Sequence, residues 1–306
     1  MLREKIALAL MKKAMEKTFP VFRRSAVKLE TADDVPDRPG ASRLGGVPDA
    51  PADFSWPYFT TASDYDDTVK PRPLAFLAQF SCEELTALDP DHPLPKKGVL
   101  SFFYELSSQR WGFSPEDAGC ARVYWFEDAE SLRPAEYPAD LEEEYRLPAR
   151  GVTFSEEISY PGCEDVMAMQ SRHIPELYDI YEETAEKLGI DPDNPYSKLL
   201  GWPDIIQNSM AQECEMVFRG YYMGGSNPPA GLSCPPEPKT AEEQMQHRLA
   251  GRQALQTWRL LFQMEEGVAD ELGLMFGDCG SIYFYIREED LQACRFDRVW
   301  LILQCG

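Results

Sequence analysis

One stretch of the sequence, residues 274–305, constrains the fold more than any other. A turn at 277–280 precedes the apolar run 281–286, and a second apolar run, 296–305, follows near the end of the chain. Runs of aromatic and β-branched residues bounded by Gly and Asp are typical of β-strands. The acidic segment between the runs, 287–293, is expected to form one or two helical turns. We therefore predict two strands joined by a short helical segment in this stretch.

Similar apolar runs occur earlier in the chain, at 74–80, 98–106 and 123–126, and each is bounded by turn residues. A helical pattern with acidic residues early and a Lys late covers 174–188, as the helix dipole favours. The Pro-containing residues 20–40 are expected to be an extended connection. These patterns predict an α+β protein with mainly mixed or antiparallel β-sheets, an N-terminal helix and helical inserts.

The N-terminal residues carry apolar side chains at helical spacing, among them Leu10, Met15 and Phe19, with lysines between them. They lack the uninterrupted apolar region of a signal peptide, and no stretch of the chain reaches transmembrane length. We predict an amphipathic helix at residues 1–20 that docks on one domain formed by residues 21–306. Because the apolar face is narrow and rich in Met, docking is favoured over the alternative of binding to a membrane surface.

The second part of the sequence echoes features of the first in the same order. The matching segments are 44–49 with 199–204, 74–80 with 258–264, 98–103 with 280–285, and 122–124 with 298–300. We therefore predict an internal duplication with two similar halves, about residues 41–130 and 196–305. A loop rich in Gly and Pro, 224–238, and a polar helix, 241–256, are then inserts in the second half. Chance is the alternative, since apolar runs with Gly are common.

The charge of the chain excludes several classes of partner. The 306 residues include 52 acidic and 30 basic ones, which gives a net charge of −22. Such a protein is not suited to nucleic acid, whose phosphates demand Lys and Arg, or to anionic membranes. The charge is compatible with a basic protein partner, which an acidic surface would attract. The simpler interpretation is that the charge serves solubility alone.

The cysteines and histidines show no metal-binding pattern. None of the 8 cysteines lies two to four residues from another, and His92, His173 and His247 form no ligand pair. The cysteines are expected to be reduced thiols, several of them buried. The sequence also lacks the Gly-x-Ser-x-Gly, Walker and Gly-x-Gly-x-x-Gly motifs. We predict a cytoplasmic protein without a metal or another cofactor.

Several ordered segments resemble the YwqG-like family of bacterial proteins. They are 45–49, 56–57, 73–79, 98–104, 122–123, 201–204 with Gln207, 260–263, 277–280 and 296–300. The resemblance covers about residues 40–305, and Phe276 departs from it at a position where the family often has Trp. It implies the fold and leaves the activity open, because the function of this family is unknown. It also implies a loose association with toxin–immunity neighbourhoods.

Polar side chains from both halves could form one binding site if the halves pair with each other. They are Asp49, Gln79, Asp204, Gln207, Gln263 and Asp278. Carboxylates and amides together would suit a hard cation or a polar ligand in a cleft between the halves. The alternative, which we favour, is structural: Asp in a turn bonds backbone amides, and Gln near a strand end satisfies backbone groups.

Aromatic residues beside turns, namely Trp56, Tyr58 and Trp111, are candidates for an interaction surface, because aromatic side chains on loops often anchor partners. Burial in the core is the default alternative for Trp. With no catalytic spacing in the sequence, our leading hypothesis is a non-catalytic protein-binding module, such as an immunity-type protein. The alternative is an enzyme or a small-ligand binder that uses the polar cleft between the halves.

Overall fold

The computed structural model describes residues 2–88, 93–170, 174–191, 194–234 and 240–306, so His92 and His173 lie outside it. The strands are β1 (Arg24–Ala32), β2 (Arg43–Leu44), β3 (Asp49–Ala50), β4 (Tyr58–Ser63), β5 (Asp66–Pro73), β6 (Ala75–Ser81), β7 (Val99–Tyr104), β8 (Ala121–Phe126), β9 (Arg133–Pro134), β10 (Arg150–Ser159), β11 (Lys198–Leu200), β12 (Trp258–Met264), β13 (Ser281–Arg287) and β14 (Trp300–Gln304). The helices are α1 (Leu2–Thr18), α2 (Cys82–Leu88), α3 (Cys163–Met169), α4 (Leu177–Leu188), α5 (Met210–Phe218), α6 (Ala241–Thr257), α7 (Glu266–Glu271) and α8 (Glu288–Gln292).

Most of the strands belong to one large antiparallel sheet. Their order in this 10-stranded sheet is β14-β13-β12-β11-β1-β10-β2-β6-β7-β8, while β3-β9 and β4-β5 form two separate pairs. Every ladder within the large sheet is antiparallel. The prediction of an α+β protein is therefore confirmed, and the antiparallel sheet type is the one present.

The centre of the large sheet is the pair β1 and β10, which lie side by side along the whole length of β1. We expected residues 20–40 to be an extended connection, and this expectation was wrong for the part that forms β1. The strand buries Val27 and Leu29 but exposes Glu30, and β10 exposes Glu157. Because charged residues interrupt the apolar ones, neither strand shows the continuous run by which the neighbouring strands were predicted.

The sheet curves so strongly that strands far apart in its order share one core. Phe80 of β6 and Phe102 of β7 contact Phe262 of β12, with ring centroids 5.1 and 5.0 Å apart. Phe102 also contacts Phe284 of β13 at 5.2 Å. All four rings are fully buried, and each contributes roughly 1.5–3 kcal/mol of hydrophobic stabilisation. The early and late parts of the chain therefore have a common interior.

The loop between β7 and β8, residues 105–120, is fastened to the edge of the last strand. The backbone N–H of Leu303 donates to the carbonyl oxygen of Trp111 at 3.0 Å. At Gly112, whose φ is +80°, a Cβ would lie 1.8 Å from the carbonyl oxygen of Leu301. Only glycine can make this close approach in the left-handed region. The loop is thus held against β14, and Trp111 has a defined position.

Helices α5 and α6 cover the outer face of the late strands. Helix α5 turns Met210 and Cys214 toward Trp258 and Tyr283 of the sheet, and all four side chains are buried. This apolar stripe recurs every three to four residues, as expected for a helix with one buried face. It fixes the direction in which the remaining side chains of α5 point.

Helix α1 packs against α4, and the turn that follows it inserts an aromatic ring beneath both. Phe19 is buried, stacks on Tyr160 at 5.6 Å and meets the edge of Tyr181 at 5.8 Å. Lys12 of α1 pairs with Glu183 of α4 at 2.5 Å. No helix in the described part of the chain is long and apolar enough to cross a bilayer.

The cysteines are free thiols, and most are buried. The buried ones are Cys82, Cys120, Cys163, Cys214 and Cys305, whereas Cys279 is exposed. Burial raises the pKa of Cys120 and of Cys214 well above the ordinary value for a thiol. Because the thiolate is the reactive form, these two thiols are chemically inert.

Candidate functional site

Asp49 and Gln79, two of the predicted site residues, are bonded to each other. The side-chain oxygen of Gln79 accepts from the Asp49 backbone N–H at 2.9 Å. Its amide nitrogen donates to Asp49 Oδ2 at 2.7 Å and to the Ala41 carbonyl at 2.9 Å. Arg43 Nη1 and the Gly40 N–H each donate to the same Asp49 oxygen at 2.9 Å. This buried network fixes the chain between β2 and β3.

Asp204 and Gln263 form a second network of the same kind. The side-chain oxygen of Gln263 accepts from the Asp204 N–H at 2.9 Å. Its amide nitrogen donates to Asp204 Oδ2 at 2.8 Å and to the Tyr196 carbonyl at 3.1 Å. The cation here is Lys198, whose Nζ donates to Asp204 Oδ1 at 2.7 Å. Both networks have the geometry that the structural interpretation predicts.

The remaining two candidates, Gln207 and Asp278, stand outside both networks. The Gln207 backbone N–H donates to Gln304 Oε1 at 3.1 Å, and its side chain lines a separate cavity. Asp278 is exposed in its turn, where its carbonyl accepts from Gly306 N–H at 2.9 Å. The strands β10 and β1 lie between the two networks in the sheet order, which separates them by roughly 14 Å. The six side chains therefore do not meet in one cleft.

The three candidate surface aromatics have different environments. Trp56 is half-buried, donates through Nε1 to the Leu74 carbonyl at 2.8 Å and packs on Phe103 at 5.6 Å. Tyr58 is 41% exposed, and its hydroxyl donates to Asp140 Oδ1 at 2.8 Å. Trp111 is 39% exposed. Trp56 thus serves the core, while Tyr58 and Trp111 present surface to solvent.

Trp111 stands at a cavity of about 650 Å³, which we call the Trp111 cavity. It lies between the 105–120 loop, the start of α5 and residues 222–229. Side chains that line it include Trp111, Phe113, Gln207, Glu213 and Tyr222. Its volume falls in the range of ~300–1,000 Å³ that is usual for ligand pockets. Two of our candidate residues, Trp111 and Gln207, are thus brought together here.

Glu213 is one of the buried polar residues that line the Trp111 cavity, together with Ser114 and Asp117. Glu213 is 8% exposed, and its Oε2 atom has no hydrogen-bond partner among the residues that the structure describes. Burial raises the pKa of Glu213 to about 7, against a hydrogen bond from Asn208 that lowers it. Sequence reasoning missed this residue. The signal that could have found it is an acidic residue within the mainly apolar helix α5.

Asp117 organises the loop that carries the aromatic residues. Its Oδ2 accepts from the Gly112 N–H at 3.1 Å and from the Ser114 N–H at 3.2 Å. Burial raises the pKa of Asp117, although these backbone hydrogen bonds oppose the change. Arg110, on the same loop, donates through Nη2 to Thr61 Oγ1 at 2.7 Å. The cavity wall is therefore built in advance of any ligand.

The Trp111 cavity is lined by both aromatic rings and carboxyl groups. Aromatic faces and a carboxyl group together favour a cation, which an aromatic ring attracts through its quadrupole. Within the described ranges, no group of three or more His, Cys, Asp or Glu side chains is placed to hold a metal ion. An arrangement of this kind is chemically suited to a positively charged group.

The fold and this cavity together define an α+β protein with a curved ten-stranded sheet and an acidic, aromatic-walled cavity beside its β14 edge. Residues 42–305 match the family described as a domain of unknown function, DUF1963, and the chain belongs to that family. A search of curated proteins finds no match to the sequence. Family membership therefore agrees with the extent of the resemblance and assigns no activity.

Proposed function

We propose that this is a non-catalytic binding protein whose partner is a basic protein. The observation that carries the proposal is the Trp111 cavity, in which a partly exposed indole stands beside carboxyl groups of Glu116, Asp117 and Glu213. The net charge of −22 would attract a basic partner toward the surface around it. An immunity-type role, in which the bound protein is a toxin, is one form of this proposal, and a cytoplasmic location belongs to it.

The rigidity of the cavity wall supports binding. The Glu105 carboxylate accepts from the backbone N–H groups of Ser107 and Ser108 at 2.9 and 3.0 Å. The Met223 N–H donates to the Phe113 carbonyl at 2.7 Å, which joins the two sides of the cavity. A surface that is already ordered loses little conformational entropy on association. Trp111 is therefore suited to act as an anchor.

We also propose that the sheet consists of two similar halves, about residues 41–130 and 196–305, within one domain of residues 21–306. The order β2-β6-β7-β8 on one side of the central pair β1 and β10 matches β11-β12-β13-β14 on the other. Arg43 faces Gln79 across its ladder, and Lys198 faces Gln263. The strands that carry these glutamines, β6 and β12, each have a register shift two residues before the Gln. The kinship with YwqG-like proteins is part of this proposal.

Replacing Trp111 with Ala is expected to abolish capture of the partner. Wild-type protein, W111A and the control Y65A would be used as bait in extracts of the native host. Tyr65 is 90% exposed in the β4–β5 hairpin, so Y65A also removes an exposed aromatic ring. We expect a stoichiometric basic protein with the wild type and Y65A, and at least about tenfold less with W111A, since central aromatic anchors dominate binding energy. No stoichiometric protein on the wild type, or equal capture by W111A, contradicts the proposal.

A second candidate function, small-ligand binding, is favoured by the surroundings of Asp204. A cavity of about 470 Å³ is lined by Lys198, Asp204, Tyr181 and Tyr196. The Asp204 side chain is 27% exposed there, whereas that of Asp49 is 3% exposed in its own network. Small polar compounds that raise the melting temperature of the wild type are expected to lose this effect on D204N. A survey in which D204N responds like the wild type counts against this candidate.

A further inference from the structure

We propose that the Trp111 cavity accepts one cationic side chain of the partner, a lysine or an arginine, with its charge against Glu213. This inference rests on the proposed function, since it names the contact through which a basic protein would be held. It follows from the contacts of Glu213, from the aromatic lining, and from the charges nearby.

Glu213 differs sharply from Glu215, its neighbour two positions along α5. The Glu215 carboxylate receives Arg219 at 2.7 Å, Arg287 at 2.8 Å and the Trp258 indole at 2.9 Å. Glu213 is equally buried, yet in the described part of the chain no Lys or Arg nitrogen pairs with it, and Oε2 has no partner. A buried carboxyl oxygen without a hydrogen-bond donor is costly, and the cost is reduced when a donor arrives.

Besides the carboxyl group of Glu213, a cation site in this cavity would use the aromatic rings that line it. Trp111 and Phe113 lie 6.2 Å apart between ring centroids, and Tyr222 lines the same cavity. The methylene groups of a lysine or arginine pack well on such rings, and the charged group is attracted to their faces. Arg110, the cation already in the lining, is engaged with Thr61. Arg110 is not among the influences on the Glu213 pKa, so the proposed cation is one that comes from outside the chain.

The ionisation of Glu213 links cation binding to pH. Burial raises its pKa to about 7, and among the described side chains the hydrogen bond from Asn208 acts in the opposite direction. The charged groups that line the cavity with it are Arg110, Glu116 and Asp117. Below pH 7 the carboxyl is mostly protonated, so a cation must first displace the proton. Above pH 7 it is mostly charged, and binding is expected to strengthen as the pH rises.

The test uses small probes and Trp111 as the reporter. Butylguanidinium, butylammonium and uncharged butanol would be titrated into ¹⁵N-labelled protein, and the Trp111 indole N–H signal, assigned with W111F, would be followed by NMR. We expect saturable shifts with the two cations, at least about tenfold tighter than with butanol. The tighter of the two cations indicates whether arginine or lysine is preferred. Binding is expected to be tighter at about pH 8 than at about pH 6.

The variant E213Q keeps the shape of the side chain and removes its charge. It is expected to weaken cation binding about tenfold and to abolish the pH dependence. The matched control is E156Q, which removes an exposed charge of β10 outside the cavity and is expected to change binding less than about twofold. Equal binding by E213Q and the wild type, or equal binding of butanol and the cations, overturns the inference.

The same variants separate this inference from the proposed function. If E213Q binds the cations as the wild type does while partner capture remains sensitive to W111A, the contact proposed here is wrong and the binding function stands. If the cations bind in a Glu213-dependent way but the wild type captures no stoichiometric basic protein, the cation site stands and the protein-binding function fails.

Discussion

Replacing Asp49 with Ala is expected to lower the free energy of unfolding by about 3–5 kcal/mol, the usual cost of breaking a buried ion pair from one side. Arg43 is left with its side chain 10% exposed and without the carboxylate that it contacts at 2.9 Å. A guanidinium cannot escape the penalty by losing its proton. Gln79, which is fully buried, loses the acceptor of one amide N–H as well. Urea unfolding of D49A and the wild type measures the difference.

The matching substitution in the other network, D204A, is expected to lower the free energy of unfolding by less than D49A does. It leaves Lys198 almost fully buried, with its side chain 1% exposed. Burial lowers the pKa of Lys198, and the Asp204 charge that opposes this effect is removed by the substitution. A lysine can then become neutral, which limits the penalty. The exposed turn residue Asp278 provides a control, since D278A is expected to unfold like the wild type. A cost for D204A that equals or exceeds the cost for D49A contradicts this account.

Stability is expected to rise by several kcal/mol when the pH falls from about 7.5 to about 5, since two buried carboxyl groups form no ion pair with any side chain that the structure describes. Burial raises the pKa of Glu213 to about 7, and it raises that of Asp165 to about 7 as well. Asp165 Oδ1 accepts from Ser209 Oγ at 2.5 Å, while Oδ2 has no partner. In the unfolded chain both groups have their ordinary values, near 4 to 4.5.

The direction of this pH effect follows from the number of protons that the native and the unfolded protein bind. Between about pH 4 and pH 7 the unfolded chain has released these protons while the native protein still holds them. The stabilising contribution of each protonated carboxyl group is therefore fully present below about pH 4. It is lost as the pH rises to 7, which lowers the free energy of unfolding by on the order of 3 kcal/mol for each group. Carboxyl groups whose pKa is lowered in the native protein have the opposite effect on stability, and they lose their contribution only in stronger acid. Hydrogen bonds from Thr68 lower the pKa of Asp66, for example, so its contribution is retained above its ordinary value.

The double variant E213Q/D165N distinguishes this effect from a general relief of charge repulsion. Its amides are neutral at every pH, so we expect higher stability than the wild type at about pH 7.5 and a much flatter profile down to about pH 5. Repulsion among the other acidic residues would be unchanged in the variant. Urea midpoints at three pH values are sufficient. A profile as steep as that of the wild type would show that these two carboxyl groups are not its cause.

The late strands could be predicted because their apolar runs are continuous. The run 281–286 corresponds to β13 (Ser281–Arg287), and the acidic segment 287–293 contains α8 (Glu288–Gln292). By contrast, β1 and β10 meet over a long sequence distance, and their alternating charges hide them from local pattern analysis. Strand identity is a local property, while the choice of central strands depends on distant pairing.

The candidate site also has some features that local sequence patterns predict and others that depend on tertiary contacts. Asp49 and Gln79 belonged to one candidate set of six residues, and turn chemistry and strand ends, which the sequence displays, favoured bonds to backbone groups for each. Their bond to each other was not predicted. Trp111 was predicted from the turn residues around it. The sequence shows Glu213 as an acidic residue in a mainly apolar segment, but it does not show that one of its oxygen atoms is buried without a partner among the described residues. Whether a buried acid is paired is decided by tertiary contacts, which no spacing in the sequence reports.

The position of β1 at the centre of the sheet also has a consequence for synthesis of the protein. Arg24 meets Ser159 across a separation of 135 residues, and the other neighbour of β1, β11, lies later still in the chain. A nascent chain leaving the ribosome therefore carries its first strand unpaired through much of translation. Such long-range closure makes folding slow, and the emerging strand edge is a natural place for chaperone contact.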